Sequence, residues 1–142
     1  MIKTSFNPHP MHTYYGLWID HAKAFLMKAN KMGEVSIDYF SSNVEGHNHG
    51  GESEEHLTVT NQHRHEERRH NQMKAFCREI IDKMRDADEI LVFGPGKAKH
   101  EFKNILEEHK VLFEKLKELE TSDELTEAQM MEYVKKYFKL PL

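Results

Sequence analysis

Glu89-Ile90-Leu91-Val92-Phe93, followed at once by Gly94-Pro95-Gly96, is the stretch whose reading decides the fold. A short, continuous apolar run closed by turn residues suits a strand covered on both faces, as in a parallel sheet, and not the half-buried strand of a simple hairpin. The flanks agree. Upstream, Met73, Phe76, Cys77, Ile80, Ile81 and Met84 recur at i, i+3, i+4, i+7 and i+8, an apolar stripe for one side of a helix that Asp86 and Asp88 then close. Downstream, a second helix is expected from about Ala98, with Phe102, Ile105, Leu106 and His109 on one side. Residues 118–121 read as a short last strand. Thr126 with Gln129 makes a capping box for a final helix striped by Met130, Tyr133, Val134, Tyr137 and Phe138.

The N-terminal part has a different rhythm. Residues 14–20 (YYGLWID) and 22–29 (AKAFLMKA) are rich in aromatic and branched side chains and read as strands. Residues 34–41 (EVSIDYFS) alternate Val35, Ile37 and Tyr39 against Ser36, Asp38 and Phe40, a third, half-buried strand. The short Asn30-Lys31-Met32-Gly33 connection makes these an antiparallel meander. The whole order is β-β-β-loop-α-β-α-β-α. It predicts a single α/β domain over 14–142 with a mixed sheet, a meander extended by parallel strands through crossover helices. Residues 1–13, with Pro8 and Pro10, read as a flexible leader.

Composition narrows the function classes. Of the 142 residues 38% are hydrophobic and 31% charged, so a compact core must sit under a very polar surface. No run approaches the ~20 apolar residues needed to span a bilayer. Residues 1–5 hold no apolar run suited to a signal peptide. Cys77 is the only cysteine, which excludes intramolecular disulfides and cysteine zinc fingers and favours a cytoplasmic setting. The net charge of −4 argues against an autonomous DNA-binding or other nucleic-acid-binding domain, which is ordinarily basic.

Between the meander and the first long helix lies Gly46-His47-Asn48-His49-Gly50-Gly51-Glu52-Ser53, inside a polar stretch at about 42–61 without helical or strand period. Adjacent glycines allow close backbone approach to a partner, and loops on a rigid scaffold often carry function. From Glu45 to His70 three arginines face six acids, giving −3 with the six histidines neutral and +3 with all of them protonated. Arg64, Arg68 and Arg69, at i, i+4 and i+5, are expected to share one helix side beside the loop and are the candidates for phosphate contact. Interleaved Glu66 and Glu67 fit a merely solvated face equally well. His47, His49 and His56 with an acid could form a weak zinc or nickel site. His63 and His70 lie about two helical turns, ~10.5 Å, apart and cannot share one ion. Asp20 reads as a turn residue. Gly94-Pro95-Gly96-Lys97 lacks the spacing of a nucleotide-binding loop and reads as a turn into a helix.

This order, with a glycine-pair loop before the first long helix, resembles the central domain of archaeal and eukaryotic class-I peptide release factors and of Pelota-type rescue factors. It looks closer still to the small bacterial relatives labelled translational machinery components. The residues that carry the resemblance are Trp18-Ile19-Asp20 with Ala22 and Ala24, Gly50-Gly51-Glu52-Ser53, residues 64–76, and residues 91–96 with Lys103. Residues 120–126 ahead of the last helix match as well. The resemblance spans about 14–138 and implies a ribonuclease-H-like core. It also implies a ribosome or tRNA partner, and a loop acting on peptidyl-tRNA with Gly50, Gly51 and Glu52 in the catalytic positions. The family's loop is GGQ, and here Glu52 replaces the glutamine. An ionised carboxylate only accepts hydrogen bonds and is repelled by RNA phosphates. A binding role is therefore expected ahead of catalysis. The competing expectation is a non-enzymatic domain that binds a protein or a metal through the histidine-rich loop. Whether the chain forms homo-oligomers is left open.

Overall fold

The computed structural model describes residues 11–42 and 59–142. The described elements are β1 (Tyr14–Ile19), β2 (Lys23–Ala29), β3 (Val35–Ser41), α1 (Val59–Lys83), β4 (Glu89–Gly94), α2 (Ala98–Leu106), α3 (Lys110–Phe113), β5 (Leu116–Thr121) and α4 (Glu127–Phe138). They form one five-stranded sheet in the order β3-β2-β1-β4-β5. β1 pairs antiparallel with β2, and β2 with β3. β4 adds parallel to β1, and β5 parallel to β4. This is the expected meander with parallel additions, an α/β domain with a mixed sheet.

The central strands are covered on both faces. Against one face the α1 stripe of Met73, Phe76, Cys77, Ile80, Ile81 and Met84, each at most 3% exposed, packs with Phe102, Ile105 and Leu106 of α2 onto Leu17, Ile19, Ile90 and Val92. On the other face α4 supplies Met130 and Val134 against Trp18, Met27, Leu91 and Phe93. Tyr133 stacks on Phe93, with ring centroids 4.6 Å apart. Gly16 makes this close approach feasible: a Cβ there would lie 2.3 Å from Val134 Cγ2. The α4 capping box is present, with Thr126 Oγ1 accepting from Gln129 N and Gln129 Oε1 accepting from Thr126 N. Leaving β4, Gly94 has φ of 147° and sits so close to Ile19 that a Cβ would be 2.4 Å from the Ile19 carbonyl oxygen. Only glycine fits that backbone and that gap.

Several boundaries move. α1 begins at Val59, well before its apolar stripe at Met73, because a polar helix end needs no apolar periodicity to form. The structureless reading of 42–61 therefore fails at 59–61. β1 stops at Ile19, and Asp20 belongs to the turn. α2 ends at Leu106, so His109 does not continue its apolar side. His109 caps the short α3 instead, with its Nδ1 3.3 Å from Arg85. β5 starts two residues early, at Leu116, since exposed Lys117 on the edge strand interrupts the apolar signal there. Thr13, read with the leader, donates its N–H to Asp88 at 2.8 Å and accepts from the Asp88 N–H at 2.9 Å, while His12 meets Glu89 at 2.8 Å. Among the described residues no helix is long and apolar enough to cross a membrane.

Candidate nucleic-acid interface

Helix α1 has 25 residues and so runs about 37 Å, but the sheet supports only part of it. Its C-terminal end is tied to the start of β1 and the end of β2. Tyr15 donates its hydroxyl to Asp86 at 2.7 Å and approaches the Lys83 carbonyl at 3.1 Å, and Lys28 pairs with Asp86 at 2.9 Å. Burial is the largest influence on Asp86 and opposes its ionisation, yet the hydrogen bonds from Tyr15 and Lys28 outweigh it and hold the carboxyl below its usual value. Burial and the same Asp86 contact push the Tyr15 hydroxyl well above its ordinary value.

From that anchor α1 runs back along β1. Residues 73–84 rise about 17 Å, close to the ~20 Å of the six-residue β1 beneath them. The remaining turns, Val59 to Gln72, add about 20 Å of helix on the N-terminal side of that stripe. From Gln62 to Asn71 every residue is exposed except half-buried His65. This arm, polar on all sides, contains Arg64, Arg68 and Arg69. At ~100° per residue Arg64 and Arg68 lie one turn apart on one side. Arg69 is about 100° further round, in line with Met73 and Phe76 at i+4 and i+7, so the expectation of one shared side holds for two of the three arginines. The helical reading of the arginines agrees with α1, which continues without a break from this polar run into the apolar stripe at Met73.

The rim beneath the arm is cross-tied. Asp20 Oδ1 accepts from the backbone N–H groups of Ala22 and Lys23, both at 2.8 Å, the work of a turn residue. Lys23 reaches Glu124 at 2.9 Å and lies 5.1 Å from the Trp18 ring centroid. The Glu124 contact is the chief reason its ammonium pKa is raised. His21 pairs with Glu101 of α2 at 3.1 Å. Beside Gly96 the buried Lys99 donates to the Gly96 carbonyl at 2.6 Å, which pins the Gly94-Pro95-Gly96 turn. Lys97, the residue before α2, makes no side-chain cap. The stretch is a braced turn, as its spacing implied. Among the described residues no three His, Cys, Asp or Glu side chains are placed to hold a metal ion.

The described residues that flank 43–58, where the glycine pair lies, are Ser42 and Val59. Ser42, the last residue before it, donates its N–H to Ala22 O at 2.9 Å and its hydroxyl to His21 O at 2.6 Å, at the turn that follows β1. Its other end is the tip of the arm at Val59. Gly50, Gly51 and Glu52, expected as the loop's active positions, and His47, His49 and His56, expected as a weak zinc or nickel site, lie outside the described residues.

No protein-family model matches the sequence, and no curated protein matches it significantly. Solved structures do. The chain is similar to an archaeal translation termination factor, aRF1, with a TM-score of 0.56 at 16% identity over 96% of this chain. It is similar to a second archaeal protein with a TM-score of 0.56 at 17% identity over 90% of this chain. The fold is release-factor-like. The chain matches 42% and 34% of the length of those two proteins, so it corresponds to one part of each.

Proposed function

We propose that this chain is a translation-associated factor that binds the ribosome or tRNA and offers its Gly50-Gly51 loop to an RNA cavity. The observation that supports it most is the exposed arm of α1. It carries Arg64 and Arg68 one turn apart on one side, on a fold similar to that of a translation termination factor. An exposed cationic helix side suits phosphate oxygens, because guanidinium groups give charge-assisted and bidentate contacts. The chain's net charge of −4 does not oppose this, since the contact would be confined to the arm. Recognition comes ahead of chemistry in this reading. Glu52 has no N–H to donate where the resembling loops have an amide, and its charge is disfavoured among phosphates.

Co-sedimentation with ribosomes at low and moderate salt tests the proposal. The wild type is expected to bind in a salt-sensitive way. Removing Arg64 and Arg68 together should lower the slope of log affinity against log salt by about one to two. Gly50→Ala/Gly51→Ala should weaken binding with little change in that slope, because glycines contact no counterion-displacing phosphate. Glu52→Gln should strengthen binding, and any peptidyl-tRNA hydrolysis should show in that variant before the wild type. Absence of binding at every salt concentration would overturn the translation reading.

A further inference from the structure

The two edges and two faces of the sheet are not equally finished. On the face packed by α1 and α2, the cover is continuous over β1 and β4. On the opposite face, among the described residues, α4 lies across β1 and β2; Val35 and Ile37 of β3 are half-buried against its cluster, while Tyr39 stays exposed. An aromatic ladder marks the gap. Trp18, Phe25 and Tyr39 are register partners across β1, β2 and β3, with ring centroids 6.1 and 5.2 Å apart. The ladder starts at fully buried Trp18 and ends at Tyr39, which is 59% exposed.

Among the described residues the backbone of β3 has no strand partner on its outer side. Ser42 N donates to Ala22 O and Asn30 N to Glu34 O, so the even-numbered residues of β3 are those hydrogen-bonded to β2. The N–H and C=O groups of Val35, Ile37, Tyr39 and Ser41 therefore point outward, and among the described residues no strand lies beyond β3. Their side chains share the face that α4 leaves unfinished. On the other face of β3 sits exposed Asp38, with no ion-pair partner among the described residues. An incoming antiparallel strand would oppose Asp38 in a non-hydrogen-bonded pair, the close kind at ~4.5 Å between Cα atoms. Edge strands are commonly protected by charge, by proline or by twist. Here Asp38 is the only charged residue in the strand, and there is no proline.

We propose that the outer edge of β3 accepts an extended strand from another protein, with a lysine or arginine opposite Asp38 and apolar side chains beside Ile37 and Tyr39. Pairing would satisfy the outward backbone groups, extend the aromatic ladder's apolar surface, and neutralise Asp38. A second copy of this chain suits the edge less well. Two β3 strands paired symmetrically over their full length would set Asp38 against Asp38, and directly opposed like charges destabilise a sheet. The inference does not depend on RNA binding by the arm, which lies on a different element.

The test uses two capped peptides as long as β3, alternating valine and threonine, with lysine or glutamate at the centre, and reads binding by fluorescence anisotropy. The lysine peptide is expected to bind about fivefold more tightly than the glutamate peptide, and Asp38→Lys to reverse that order. Ile37→Pro should abolish binding of both. The N–H it removes faces outward, and proline is tolerated at such edge positions. If Ile37→Pro fails to fold by circular dichroism, Ser41→Pro removes another outward N–H at an exposed side chain and carries the same expectation. Three results would overturn the proposal: neither peptide binding, equal binding that ignores the charge at position 38, or self-association of the wild type lost in the proline variant. The last would assign the edge to a second copy.

Discussion

The two halves of helix α1 share one backbone and almost nothing else. From Met73 to Met84 its stripe is at most 3% exposed and closes the core over β1 and β4. From Gln62 to Asn71 only His65 is even half-buried, and the stripe gives way to Gln62, Glu66 and Arg69 at the same angular positions. One half is held by tertiary packing. The other has no buried stripe, and continuation from the packed half favours it, since helix nucleation is the costly step and propagation is cheap. A helix can thus be anchored by its stripe at one end and carry Arg64 and Arg68 about 14 and 8 Å further along its axis than Met73 at the other. A site built on such an arm costs the fold little.

Substitutions can break this contrast, and the largest effect belongs to the packed half. Ile80→Ala removes a fully buried branched side chain between the sheet and α2 and should cost about 2–4 kcal/mol in chemical denaturation. An effect under about 1 kcal/mol would mean that α1 does not hold the core together. Tyr15→Phe comes next. It leaves Asp86 without its 2.7 Å donor, and about 1–2 kcal/mol should be lost. The sign of the pH effect follows from Asp86, whose folded pKa is depressed. Its contribution is complete above the unfolded carboxylate value near 4 and disappears as pH falls through the lower folded value. The wild type should therefore lose stability below about pH 4, and Tyr15→Phe should show less of that loss.

The sharpest discriminator is Glu67→Pro. Inside a packed helix proline costs about 3 kcal/mol or more. In the arm it should reduce helical circular dichroism while moving the global unfolding midpoint by the equivalent of less than about 0.5 kcal/mol. A large global loss would show that the arm is part of the cooperative unit. Smallest of all is the stability effect of Arg64→Ala with Arg68→Ala, expected within about 0.5 kcal/mol, so any loss of ribosome binding by that variant is a loss of contact. At the far end of the contrast lies Cys77, where burial pushes the thiol up to about 12. Alkylation in the native state should be slow and should track Ile80→Ala destabilisation, because only opening of the packed half exposes the thiol.

The candidate site was legible as residues but not as a place. Arg64, Arg68 and Arg69 stand out in sequence because a helical spacing of cations beside a glycine-pair loop is visible without coordinates. Their separation into two sides needed the phase of the apolar stripe: Arg69 follows the line of Met73 and Phe76, while Arg64 and Arg68 do not. That the arginines lie on turns N-terminal to the packed stripe depended on the length of α1 and on the Tyr15–Asp86 anchor that fixes its other end. None of these is a local property of the chain.

The same division holds for the fold. Local chemistry alone determined that Ile90 to Phe93 form a strand covered on both faces, that Thr126 and Gln129 start a helix, and that Met73 to Met84 face a sheet, because periodicity and capping act between residues a few positions apart. Where elements stop was decided by tertiary contacts. α2 ends at Leu106 and releases His109, β5 reaches back to Leu116 by pairing with β4, and α1 continues through a polar run to Val59. The edge position of β3 among the described strands is likewise a result of strand order. A strand's sequence records which of its faces is apolar, but only assembly of the sheet determines which backbone groups remain without a neighbour.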